Sequence, residues 1–184
     1  MKQTSSRDNF AESSAKRISL LAIFAAAAMM LSYLEGLIPN LLPIPGFKPG
    51  LANTAVTLAL LLFGFGGGAA VSILRILLTG ILFSAPTQLF FSLGGGMFSL
   101  LASAAGIRFA EDKLSFFGLS VLSAAAHNIG QMLAAWIYFG DAAILGYLPW
   151  LLMLSTVTGS ITGALMHTLF PRLNSIIKKG YNHE

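Results

Sequence analysis

The chain has 184 residues, of which 55% are hydrophobic and only 10% charged, and its mean hydropathy is +0.77. Soluble domains carry roughly 25% charged residues, so a water-soluble globular protein is excluded. So is a nucleic-acid partner for the net charge of +4, because the basic residues stand at the ends of apolar blocks and not in an aromatic-interleaved patch.

The absence of cysteine removes disulfide scaffolds, cysteine-ligated metals, iron–sulfur clusters and thiol nucleophiles together. Residues 1–17, MKQTSSRDNFAESSAKR, are polar and mixed in charge and read as a retained cytoplasmic tail. Six apolar segments follow, at 18–38, 51–65, 69–83, 89–107, 116–139 and 148–170, and residues 171–184 form a second cytoplasmic tail. The expected fold is an all-α integral membrane protein, a single six-helix transmembrane bundle over residues 18–170. Segments two and three are short. At 1.5 Å per residue, 51–65 reaches about 22 Å against a hydrocarbon core of about 30 Å. Two short helices joined tightly at Gly64-Phe65-Gly66-Gly67-Gly68 are favoured; the rival is a re-entrant hairpin that leaves four full spans.

Charge sets the expected topology. Lys2, Arg7, Lys16 and Arg17 precede segment one, Arg108 and Lys113 join segments four and five, and Arg172, Lys178 and Lys179 follow segment six. Six spans put all of these on one side, with Lys48 alone opposite, so the positive-inside rule makes both termini cytoplasmic in a multi-pass protein of the cell membrane. The re-entrant rival removes two spans at once and leaves that orientation unchanged. The external connection 39–50 has four prolines and two glycines, is too apolar for an ordinary solvated loop, and serves either as a lid over the bundle or as a stiff linker.

Ionisable side chains inside a membrane cost at least about 2.5 to 3.5 kcal/mol on insertion scales, which singles out Arg75 within segment three. It points either to an anionic ligand or to a structural partner such as Glu35. His127, Asn128 and Gln131 form a polar knot in segment five, with His127 and Gln131 four apart on one helix face; they bind a ligand or bond neighbouring helices. Lys48-Pro49-Gly50-Leu51-Ala52-Asn53 places a cation, a helix start and an amide within one turn, an arrangement suited to an anion, unless Glu35 neutralises Lys48. The glycine runs 94–96 and 159–163 read first as packing surfaces, and Ala22 and Ala26 give helix one a smooth face for another subunit or for its own bundle. No zinc-protease, Walker, triad or magnesium-binding aspartate motif is present, so intrinsic catalysis, a metal and a cofactor are not expected.

These three motifs in order, Lys48 to Asn53, Arg75, and Ala126-His127-Asn128-Ile129-Gly130-Gln131, resemble the Gx transporter family, also known as heptaprenyl diphosphate synthase component I. The resemblance runs from about Leu20 to Phe170. Such proteins are similar to the S components of energy-coupling factor transporters, six-helix subunits that capture a vitamin-like solute externally and dock on a transmembrane coupling protein with two ATPases. The resemblance implies that loop 39–50 is a gate. It also implies that Lys48, Asn53, Arg75, His127, Asn128 and Gln131 bind substrate and that Ala22 and Ala26 belong to an AxxxA docking element. The implied ligand is a small solute, anionic or related to isoprenoids or flavins. The alternative is a noncatalytic membrane subunit of heptaprenyl diphosphate synthase, partnered by the soluble synthase, or a membrane scaffold in quinone and flavin electron-transfer pathways.

Overall fold

A computed structural model of the protein describes residues 2–37, 50–83, 86–110 and 114–182, with side chains described over 14–179 apart from 110 and the gaps between these stretches. Among these residues the fold is all helical: α1 (Lys2–Leu37), α2 (Leu51–Phe83), α3 (Pro86–Ala110), α4 (Phe116–Phe139) and α5 (Leu148–Asn182), with a short 3-10 helix at Ala142–Tyr147 ahead of α5. Both terminal helices overrun the apolar segments, α1 starting at Lys2 and α5 continuing through Pro171. Hydropathy marks the thickness of hydrocarbon. It does not mark the end of a helix whose flanks are rich in Ala, Glu and Lys, which are good helix formers in water.

Among the described residues, four stretches are long and apolar enough to cross a membrane: Ser14–Leu37, Leu51–Phe83, Pro86–Phe109 and Ala142–Lys179. The protein is a membrane protein on this ground. Helix α4 is not among these four and carries His127, Asn128 and Gln131 in its middle. It is an interior helix packed between α3 and α5, with eleven of its 24 residues buried.

The 33 residues of α2 do not form a straight rod. Gly64 has φ 76° and ψ −175°, a region that is essentially reserved for glycine, and the chain folds back there. Gly68 lies beside Leu60, whereas residues eight apart in one helix would be separated by about 12 Å. Contacts with α1 show the same reversal. The start of α2 meets the end of α1, where Ala52 N–H donates to Glu35 Oε1 at 3.3 Å. Its middle meets the other end, where Arg17 Nη2 donates to the Phe63 carbonyl at 3.2 Å and the Phe24 and Phe63 rings lie 5.7 Å apart. Its last residue returns, with the Phe83 ring 4.7 Å from Tyr33. Two antiparallel arms, 51–63 and 65–83, therefore lie against α1.

The second arm displays a membrane-protein pattern, polar inside and apolar outside. Ser72, Arg75 and Thr79 are buried, while Ile73, Leu74, Leu77, Leu78, Ile81 and Leu82 are exposed. Where water is absent from the surroundings, polar side chains turn to the bundle and apolar ones to lipid. Packing between the later helices depends on small residues. Gly94 and Gly130 bring the backbones of α3 and α4 into direct contact, and Gly159 and Gly163 of α5 lie against the backbone of Val121 and Phe117 in α4. Ser115 starts α4 by accepting from Gly118 N–H at 3.2 Å, and Gly140, at φ 70°, ends it.

The fold-back makes Gly64 intolerant of a side chain through its backbone angle alone, in open space. Gly64→Ala should lower stability by about 1 to 3 kcal/mol, the usual strain at such a backbone angle. Gly66→Ala, which meets nothing within 4 Å, should stay within about 0.5 kcal/mol of the parent. Thermal unfolding of both variants in one detergent checks the difference.

Candidate functional site

Three of the residues singled out in the sequence converge. Asn53 on the first arm of α2, Arg75 on the second and His127 on α4 line one cavity, joined by Ser32 and Glu35 of α1, Thr79 of α2 and Ser92 of α3. All three are buried, Arg75 at 6% exposure. The cavity lies at the end of the bundle where α1 stops and α2 begins, and its free space of about 20 Å³ takes about one water molecule. A larger solute therefore requires the walls to move.

Arg75 is the strongest electrostatic feature of this cavity. Its Nη1 donates to Ser32 Oγ at 3.4 Å, while Nε and Nη2 are buried with no hydrogen-bond partner among the described residues. Glu35 lies within electrostatic reach and stabilises the cation. One of its oxygens also receives the Ala52 N–H, so its carboxylate sits on the positive end of α2. The helix start that looked suited to an anion thus carries an anionic side chain of the same protein. Asn53 adds a further buried donor, since its Nδ2 has no partner among the described residues. A guanidinium with two unengaged nitrogens and a neighbouring amide are all donors. The arrangement is fit to accept an anion bearing several oxygens, with the guanidinium supplying a planar fork that a lysine cannot imitate.

Gln131 and His127 lie together against α3. A Cβ on Gly95 would stand 2.7 Å from Gln131 Cγ and 2.7 Å from His127 Cε1, and a Cβ on Gly96 would meet the Ile76 side chain with Arg75 Nη2 at 3.5 Å. The three adjacent glycines have separate neighbours: Gly94 admits the backbone of α4, Gly95 the His127 and Gln131 side chains, and Gly96 the Ile76 and Arg75 side chains. The run is the packing surface the sequence suggests, and its packing partners include three of the candidate site residues. The signal was present in the sequence, since three glycines in a row present bare backbone on three different helix faces.

Asn128 is placed elsewhere. Its Nδ2 donates to Ser155 Oγ at 2.8 Å and to the Leu151 carbonyl at 3.2 Å, tying α4 to α5. Lys48 and the connection 39–49 lie outside the described residues. Ala22 and Ala26 are exposed on the outer face of α1. Glu35, Ser32, Thr79 and Ser92 are the cavity residues not proposed as ligands from sequence, and Glu35 had been weighed only as a charge partner. No group of three or more metal-binding side chains occurs among the described residues. Beyond Asn53, a hydroxyl seam made by Thr54, Thr57, Ser120, Ser123 and Thr162 continues between the helices, with Ser99 and Ser123 hydrogen-bonded at 2.8 Å.

Comparison with protein families matches residues 24–169 to heptaprenyl diphosphate synthase component I. The chain belongs to this family. The matched region runs from α1 well into α5, so it includes every described residue of the cavity. No curated protein and no solved structure matches the chain.

Two substitutions separate the cavity from the packing around it. Asn128→Ala removes an interhelical bond and should lower stability by about 1 kcal/mol, in the range of such bonds in membranes. Gly95→Ala forces both His127 and Gln131 to shift and should lower it by about 1 to 3 kcal/mol, the usual effect of overpacking. Thermal midpoints in detergent, read beside the parent, give both values.

Proposed function

We propose that the protein is a membrane-embedded substrate-binding subunit, similar to the S component of an energy-coupling factor transporter, that captures a small anionic solute at the Arg75 cavity. A single observation carries this reading: a buried guanidinium has two nitrogens without hydrogen-bond partners among the described residues, beside buried Asn53 and His127. Structural arginines in membranes are ordinarily paired on all sides, and an intramembrane cation with open donors is a binding group. Gln131 supports His127 from the same helix face, while Asn128 contributes by holding α4 to α5. In this reading Lys48 adds charge at the mouth, and the exposed Ala22 and Ala26 face a coupling subunit.

In this reading the chain crosses six times, with α2 crossing twice. If each arm crosses, the cavity lies toward the external side and both termini are cytoplasmic. The first arm, about 20 Å long, then spans with local thinning of the bilayer. Because the protein has no cysteine of its own, single cysteines report this directly. In Gly66→Cys the thiol should react with an impermeant maleimide only from the cytoplasmic side, and in Asp141→Cys only from outside. A Gly66→Cys thiol that reacts from neither side shows a hairpin that stops within the membrane.

A second reading is favoured by the family itself: a noncatalytic membrane subunit that works with a soluble prenyl diphosphate synthase. Both readings use Arg75 as the anion site, and they differ in partner and ligand. Native mass spectrometry of the protein purified from its own host should show a co-purifying anionic solute together with a coupling protein and ATPases. A prenyl diphosphate with the soluble synthase would establish the second reading instead. Arg75→Ala should lose the ligand by 10-fold or more, corresponding to about 1.5 to 3 kcal/mol for hydrogen bonds to a charged group. Full ligand occupancy in a folded Arg75→Ala protein would remove the cavity from the function.

A further inference from the structure

A second and much larger cavity lies on the other side of Ile76. It is an apolar groove of about 530 Å³ opening on the flank of the bundle between the second arm of α2, α3 and α4. Its lining includes Gly94 and Gly130, whose close crossing joins α3 to α4, and its rims carry Ile73, Met97 and Trp136. Ile73, Met97 and Trp136 are exposed on a face that the surrounding helices leave to lipid. Ile76 lines both this groove and the Arg75 cavity, so one side chain separates a hydrocarbon-lined trough from a buried cation. Next to it, Arg75 Nη2, without a hydrogen-bond partner among the described residues, lies beside Gly96.

We propose that groove and cavity form one bipartite site for an anionic amphiphile with a single hydrocarbon chain, which reaches Arg75 sideways from the bilayer. The head accepts hydrogen bonds from the guanidinium, and the chain lies in the groove over Gly94 and Gly130. The free space of the groove, about 530 Å³, is large enough to receive a hydrocarbon chain. Rotation of Ile76 opens the way between the two parts. The proposal rests on Arg75 as the anion-binding group and adds the tail site and the lateral route.

Trp136 reports groove occupancy. With Trp150→Phe, it is the sole tryptophan of the chain, because the sequence contains two. The protein is placed in nanodiscs and titrated with a dodecyl phosphate brominated on the chain, or with the equally brominated dodecanol, which lacks the anion. The phosphate should quench Trp136 saturably, at least 10-fold more tightly than the alcohol, and inorganic phosphate should compete it off. Arg75→Gln should reduce the affinity of the phosphate to that of the alcohol. Equal, non-saturating quenching by both probes overturns the proposal, since the groove is then only solvated by lipid. The two readings fail separately. Inorganic phosphate that raises the thermal midpoint of the parent but not of Arg75→Gln, with no saturable quenching, leaves the anion site and removes the tail site. No effect of phosphate by either measure removes both.

Discussion

A guanidinium buried in a bundle whose outside faces hydrocarbon constrains everything around it. Charge cannot be left unpaired there, and water is not at hand to compensate. The protein answers by bringing four helices to one point: Ser32 and Glu35 from α1, Arg75 itself from α2, the bare backbone of Gly96 from α3, and His127 from α4. That convergence is possible only because α2 doubles back at Gly64. Without the reversal, Asn53 and Arg75, which are 22 positions apart, would lie about 33 Å apart along one rod. With it they line the same cavity. A backbone angle open to glycine alone therefore sets the distance between two side chains of the site.

Much of this was legible in the sequence, and the limits have physical causes. Apolar blocks showed the helices, since hydrocarbon demands them. The glycine run at 64–68 marked the turn, because no other residue tolerates that conformation so freely. Arg75, Asn53 and His127 were visible as polar residues out of place. Sequence could not assign Asn128 to a direction without a partner. Adjacent residues on a helix point about 100° apart, so His127 facing the cavity sends Asn128 toward Ser155, while Gln131, four residues on, stays on the His127 side. Glu35 was harder. It stands one turn from the end of α1, where an acidic residue is as well suited to solvent as to a neighbouring helix, and only the fold shows it receiving the Ala52 N–H.

The polarity in the middle of α4 has the same origin. A helix that faces lipid must be apolar on that face, but a helix packed between α3 and α5 answers to its neighbours. Its His127, Asn128 and Gln131 are buried among those neighbours, while its lipid-facing side carries Leu122, Trp136 and Ile137. Polarity in the middle of a span is thus informative in two ways at once. It marks the interior helix of the bundle, and it marks the depth at which the interior is used.

Glu35 ties ligand chemistry to the architecture. Its carboxylate stabilises Arg75 and accepts the Ala52 N–H in the first turn of α2, so one charge serves the cavity and the start of a helix together. An anion taken up by Arg75 brings a second negative charge to the same guanidinium. Two carboxylate-like groups around one cation repel each other, and the repulsion falls on the contact that holds α1 to α2. On the proposed function, the cavity and the junction of α1 with α2 share one side chain, Glu35, through which binding at the first would be felt at the second.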